Sequence, residues 1–353
     1  MNNENNFIQQ LLKSYINQGN KEDLVSFIPE LFSHESLIEK IFSHGLEGLT
    51  YYELHRLGLL SNLPETFTGK VKWGARNTLG VNLILINEFK KILKECKSSN
   101  INIIPVKGIV FLHELYENFS LRPMADMDFF VESNSYKKAI ELFRSFGFLE
   151  NCFLPARKWE RENFRIALTR ETPIPITVEL HQGFSHPGRF NLSIDDAMQN
   201  LRNIIIGDQE ITTFNNEFTL LFLIHHLGMH YFNIKLIWVV DIVKFLYKYD
   251  FNWDKINRYV EKYKLRTVYY MTLNLLKPYV SNKKLPDLLF SPGGVKKMYL
   301  NLFFSHNSLN YFRYPQMNVR LAQILCEIPL IDSWADRWKF LKSYIMIRFK
   351  DYL

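Results

Sequence analysis

Apolar residues recur at three- and four-residue steps from Phe7 to about Leu60, as in Leu11, Leu12 and Ile16 or Leu37, Ile41 and Leu46. This spacing predicts short helices, parted at polar breaks such as Gln18-Gly19-Asn20. A longer helix is predicted over 70–98, with Leu79, Leu83, Ile86, Phe89 and Leu93 on one stripe and Lys90, Lys91 and Lys94 outside it. The period then changes. INIIPV, from Ile101, reads as a short strand followed by a Lys107-Gly108 turn, an amphipathic helix, an Arg122-Pro123 corner and a second strand through Asp126 and Asp128. A helix is predicted over 135–146, ending at Gly147, and strands over 163–170 and 174–180. A hairpin is predicted to turn at Gly207-Asp208. Beyond Asn215 the pattern is helical again over 218–231, 236–247, 253–263 and 267–279, with a Pro- and Gly-rich loop over 283–294. The last forty residues interleave Trp334, Trp338, Phe340 and Tyr344 with Arg337, Lys342 and Arg348, a pattern that suits a membrane surface or RNA but reads better as a docked C-terminal helix.

Helices, then a mixed run of strands and helices, then helices again predict an α+β fold in which a small mixed β-sheet is flanked by helical regions. The corresponding regions are 1–100, 101–214 and 215–353.

The composition fits a folded protein, since 47% of the 353 residues are hydrophobic and 22% are charged, which excludes a disordered chain. The high aromatic content, 29 Phe and 18 Tyr, falls largely at helical spacing and reads as core. A formal charge of +7 and a pI near 9.0 are compatible with a phosphate-bearing substrate or nucleic acid, although the basic residues are scattered. Cys96, Cys152 and Cys326 lie far apart and form neither a disulfide framework nor a C-x-x-C site. The start MNNENNFIQQLL lacks the features of a signal peptide, and the most apolar run, around 218–229, is interrupted by His225 and His226. These features predict a cytoplasmic setting without stable membrane insertion; they leave the oligomeric state open.

The candidate chemistry lies in the second strand. Residues two apart on a strand share a face, so Asp126 and Asp128 stand side by side while Met127, Phe129 and Val131 fill the other face. Paired carboxylates repel unless a cation lies between them, and oxygen ligands suit Mg²⁺. A lone D-x-D is common, and taken alone it reads better as a solvated strand edge. The context adds weight. At the strand-to-helix turn Gly108 allows the backbone to approach a phosphate, Lys107 adds a charge, and Arg122 can contact the phosphates through its planar fork.

With these residues in view, PVKGIVFLHELYENFSLRPMADMDFFV resembles the uncharacterised nucleotidyltransferase family of the polymerase-β-like superfamily. The resemblance rests on Lys107-Gly108, Tyr116, Arg122-Pro123 and Asp126-Met127-Asp128. Two later matches are Val178-Glu179-Leu180-His181, similar to the acidic-Leu-His strand that supplies a third carboxylate, and the helical signature with His230, Trp238 and Asp241. The Gly-Ser pair usual at the superfamily's phosphate turn is replaced here by Lys107-Gly108. The resemblance implies a nucleotidyltransferase core with Asp126, Asp128 and Glu179 as catalytic and metal-binding acids, and Lys107, Gly108 and Arg122 as nucleotide-binding residues. It further implies a two-metal Mg²⁺ site (Mn²⁺ can substitute) and an NTP donor. The acceptor, whether small molecule, protein or RNA end, is not specified. A D-x-D glycosyltransferase and a catalytically silent nucleotide-binding module are the alternatives. His225, His226 and His230 read as packing residues, and His181 and His186 are equally placed for substrate contact or for core and loop roles.

Overall fold

The computed structural model describes residues 3–28, 35–150, 164–185, 189–190, 192–230, 234–281, 284–287, 290–304 and 327–350. Cys152, Cys326 and His186 lie outside these residues. The fold is α+β, as the alternation of periods predicts. Compactness divides the chain into two units, one of Met1–Lys72, Pro187–Asn191 and Asn216–Leu353, the other of Trp73–His186 and Leu192–Asn215.

The second unit holds the sheet. Its strands are β1 (Ile103–Val106), β2 (Asp126–Val131), β3 (Leu149–Glu150), β4 (Arg165–Arg170) and β5 (Ile176–His181), in the order β1-β2-β5-β4-β3. β2 pairs antiparallel with β1 and parallel with β5, and β4 runs antiparallel to both β5 and β3. A separate hairpin of β6 (Leu201–Ile206) and β7 (Gln209–Phe214) turns through Gly207, whose φ of +63° suits glycine. The Thr213 hydroxyl of β7 donates to the Pro105 carbonyl of β1 at 2.7 Å.

Two helices cover the apolar face of the sheet. Phe129 stacks on Phe89 of the Glu65–Ser98 helix at 6.0 Å and contacts Phe143 of the Tyr136–Ser145 helix at 6.1 Å. Tyr136 also donates its hydroxyl to the Leu180 carbonyl at 3.1 Å. The Glu65–Ser98 helix buries a different stripe from the one its leucines suggest. Ile86 and Phe89 are buried, but Leu79 and Leu83 are 36% and 50% exposed. The inward positions of its second-unit part are Ala75, Thr78, Asn82, Leu85, Phe89, Ile92 and Cys96, at alternating steps of three and four. Hydrophobicity masks this register because two of its members are polar, and Asn82 has a specific partner described below.

The first unit is helical. Its N-terminal and C-terminal segments are tied together by backbone and side-chain bonds, including Ile237 N–H to the His44 carbonyl (3.2 Å) and Lys244 Nζ to the Tyr15 hydroxyl (2.9 Å). Buried Glu53 accepts from Ser14 at 2.5 Å and pairs with Arg56 at 2.6 Å. The C-terminal helix, Trp334–Lys350, buries Phe340 and Asp336 and leaves Trp334 and Trp338 exposed. Among the described residues no helix is long and apolar enough to cross a membrane.

Candidate active site

In strand β2, DMDFFV, alternate positions put Asp126, Asp128 and Phe130 on one face and Met127, Phe129 and Val131 on the other. Met127, Phe129 and Val131 are fully buried beneath the sheet. Asp126 and Asp128 therefore project from the opposite face. The parallel register with β5 places Asp128 opposite Glu179, Asp126 opposite Thr177 and Phe130 opposite His181. Carboxylates more than fifty residues apart in the chain thus share one face.

The side chains converge further. Asp128 Oδ1 lies 3.2 Å from Lys107 Nζ and 2.9 Å from His181 Nε2. The same histidine nitrogen is 3.3 Å from Glu179 Oε2, and Arg165 Nη1 donates to both Glu179 oxygens. Ligand atoms of Asp128, Glu179 and His181 all lie within 4.8 Å of one another. Asp126 stands outside that close set, two residues along the same face. The His181 ring stacks on Phe130 at 5.1 Å and meets Phe164 edge-on at 6.0 Å, which fixes its plane.

The electrostatics follow from burial and neighbours. Burial, then the charges of Asp128 and Glu179, push the Asp126 carboxyl up from 3.8 to about 6, with Lys107 and Arg122 pulling the other way. Burial also pushes Glu179 up, but the hydrogen bond from His181, together with the charges of His181 and Arg165, outweighs it and leaves Glu179 below its ordinary value. His181 moves upward: burial opposes its charged form, and the hydrogen bonds to Asp128 and Glu179 prevail.

The strand-to-helix turn carries its strain on an unexpected residue. Lys107 has φ +52° and ψ −121°, a conformation side chains rarely adopt, while the Gly108–Leu115 helix begins at the glycine. Gly108 instead provides space: a Cβ there would lie 3.3 Å from Arg122 Nη1 and 3.3 Å from Met124 Sδ. Arg122 is buried, and its carbonyl and that of Phe119 accept hydrogen bonds from Asn82 Nδ2 at 2.8 and 2.6 Å. A single amide in the Glu65–Ser98 helix thereby pins the Arg-Pro corner that leads into β2.

Sequence reasoning gave no site role to Arg165 or Asn82 and left His181 open. His181 had a legible signal, since it lies two residues beyond Glu179 on a strand and so shares its face. Arg165 had none, because its proximity depends on the β4–β5 register that sets it opposite His181. His225, His226 and His230 pack on aromatic rings: His225 against Phe190 at 5.4 Å, His226 against Trp238 at 4.7 Å and His230 against Trp238 at 5.3 Å. Among the described residues, Asp128, Glu179 and His181 form the one His/Cys/Asp/Glu group close enough to share a metal ion.

Comparisons with known proteins give the family. No curated protein matches the chain. A solved structure titled an antigenic nucleotidyltransferase-like protein from Paracoccidioides brasiliensis is similar at 15% identity, over 48% of this chain and 76% of that one, with a TM-score of 0.30. A family profile described as uncharacterised nucleotidyltransferase matches residues 32–280, which span the whole sheet, the acid cluster and the helices from Asn216 to Leu276. The chain belongs to the uncharacterised nucleotidyltransferase family.

Proposed function

We propose that the protein is a Mg²⁺-dependent nucleotidyltransferase that moves a nucleoside monophosphate from an NTP to an acceptor hydroxyl and releases pyrophosphate. The observation that carries this reading is the placement of Asp128 opposite Glu179 on parallel strands, with Asp126 on the same face. The catalytic core is proposed as 101–214, between helical regions 1–100 and 215–353.

The residues present fit a divalent cation. Acids are gathered on one face where burial, and secondarily the charges of Asp128 and Glu179, raise Asp126 to about 6, a cost that a bound cation would relieve. Asp126, Asp128 and Glu179 would hold the metal; the imidazole of His181 adds a nitrogen donor that Mn²⁺ accepts more readily than Mg²⁺. When bound, the metal supplies charge neutralisation at the phosphates undergoing displacement. Lys107, on its strained turn, and Arg122, behind Gly108, supply cations for the triphosphate. In this reading Glu179 would complete the second metal or act as base on the acceptor hydroxyl. A cytoplasmic setting fits an NTP donor.

The topology weighs against a D-x-D glycosyltransferase, because β1 and β2 are antiparallel and do not form the parallel βαβ unit that cradles a nucleotide sugar. A silent binding module has little use for three acids on one face. Each labelled NTP incubated with Mg²⁺, comparing wild type with Asp128→Ala, tests the proposal. Transfer of label should fall by at least about 10²–10³-fold in the variant. Transfer that survives the substitution would refute it, and transfer from nucleotide sugars alone would favour the glycosyltransferase.

A further inference from the structure

The acid cluster contains a cation that the reaction scheme above does not use. Arg165, the first residue of β4, donates through Nη1 to both oxygens of Glu179. Its guanidinium lies 5.4 Å above the Phe164 ring, which supports it from below. Its side chain is 42% exposed, against 15% for Glu179, 8% for Asp128 and 6% for His181. Arg165 is thus the outermost group of the cluster, while the acids lie beneath it.

This arrangement conflicts with Glu179 acting as a metal ligand unless something moves. An arginine stays protonated throughout the accessible pH range. A divalent cation at Glu179 would compete for the same oxygen lone pairs and would be repelled by the guanidinium beside them. The other members of the cluster are largely buried, whereas Arg165 is partly exposed on a flexible stem. A guanidinium also matches phosphate oxygens in geometry and charge.

We propose that Arg165, which contacts Glu179, is a phosphate ligand of this site and passes to the donor's triphosphate when a divalent cation takes over that carboxylate. The inference rests on the nucleotidyltransferase reading and adds an exchange within it: one cation leaves Glu179 as another arrives, and the displaced charge is reused on the substrate. Arg165 would then oppose metal binding in the absence of substrate and promote phosphate binding once metal is present.

Two titrations on the full chain test this. Free Mn²⁺, followed by electron paramagnetic resonance, measures metal binding without nucleotide. Inorganic tripolyphosphate, added calorimetrically to Mn²⁺-saturated protein, measures phosphate binding. For Arg165→Gln the two affinities should move in opposite directions, Mn²⁺ tightening by about tenfold and tripolyphosphate weakening by about tenfold, the size of one charge-assisted hydrogen bond in each case. Arg165→Lys, which keeps the charge near Glu179 and loses the planar fork, should leave Mn²⁺ binding unchanged and still weaken tripolyphosphate; it decides the matter if the Gln variant does not fold. Affinities that fall together, or a Mn²⁺ affinity unchanged in Arg165→Gln, would overturn the exchange and make Arg165 a structural partner of Glu179. Wild type that binds no Mn²⁺ would overturn the underlying metal-dependent reading as well, so the two failures are told apart.

Discussion

Replacing Asp126 by Asn should stabilise the metal-free protein while abolishing transfer. Asp126 ionises near 3.8 in an open chain and near 6 in the fold, chiefly because it is buried and secondarily because Asp128 and Glu179 are beside it. At about 1.4 kcal/mol per pH unit, the charged carboxylate costs the fold up to about 3 kcal/mol. The sign follows from proton binding. Between pH 3.8 and about 6 the folded chain holds this proton more tightly than the unfolded chain, so stability falls as pH rises through that window. Above it the cost is fully present; below about pH 4 both states are protonated and it disappears.

Asn keeps the shape of the protonated acid and carries no charge. At pH 8 in EDTA, Asp126→Asn should gain about 1–3 kcal/mol, the lower figure allowing for relaxation of the strand and screening by solvent. In a unit of this size that raises the melting temperature by several degrees. The gain should shrink steadily from pH 7 to pH 4 in parallel scans. It should also shrink with Mn²⁺ present, because the wild-type acids then have a counter-ion and gain stability by binding it. A variant no more stable than wild type at pH 8, or a gain that does not change with pH, would refute this account of the site's electrostatics.

Three further positions test backbone strain, buried hydrogen bonding and close packing. Alanine normally exceeds glycine in stability by about 0.5–1 kcal/mol, but at the φ +52°, ψ −121° of Lys107 the order should reverse, with Lys107→Gly more stable than Lys107→Ala by about 1–2 kcal/mol in urea titrations. Both variants lack the ammonium, so equal stabilities would remove the case for backbone strain. Asn82→Leu leaves the Phe119 and Arg122 carbonyls without their amide donor and should cost about 1–3 kcal/mol by chemical denaturation, with label transfer falling in step; a loss near zero would show that the corner holds without it. Gly228→Ala places a Cβ 2.8 Å from Val268 Cγ1 and should cost about 1–3 kcal/mol, and the double variant with Val268→Ala should recover part of that, a recovery that would be missing if the close approach were not the cause.

Much of this molecule is legible in the sequence because local patterning and tertiary context agree. The strands at Ile103–Val106, Asp126–Val131 and Ile176–His181, the helix ending before Gly147 and the hairpin at Gly207 all follow from alternation, helical period and turn chemistry. The D-x-D face is a direct consequence of strand geometry. What the sequence hides is what depends on pairing between distant segments. Nothing local indicates that β5 lies beside β2, in the one register that sets Glu179 opposite Asp128, or that β4 brings Arg165 onto the same carboxylate. A slip of one residue would send Glu179 to the other face. The buried stripe of the Glu65–Ser98 helix was hidden for a different reason. Its key inward residue, Asn82, is polar, so a count of apolar positions selects Leu79 and Leu83, which are exposed.

The acids repel one another, so a strand carrying them must be fixed from its other side. Phe129, the residue after Asp128, is fully buried and lies between Phe89 on one helix and Phe143 on another, at 6.0 and 6.1 Å. Aromatic pairs of this kind contribute about 0.5–1.5 kcal/mol each beyond their burial. Together with the burial of a Phe side chain, worth about 1.5–3 kcal/mol, they are comparable to the charge cost at Asp126. The opposition is built into six consecutive residues: in DMDFFV the first and third positions gather charge, and the second, fourth and sixth hold the strand against the consequence. Truncating Phe129 to Ala should therefore do more than open a cavity. It should let β2 relax away from β5, widen the gap between Asp128 and Glu179, and weaken Mn²⁺ binding at temperatures where the fold itself survives. A Phe129→Ala protein that melts lower yet binds Mn²⁺ as tightly as wild type would show that the sheet alone sets the spacing of the acids.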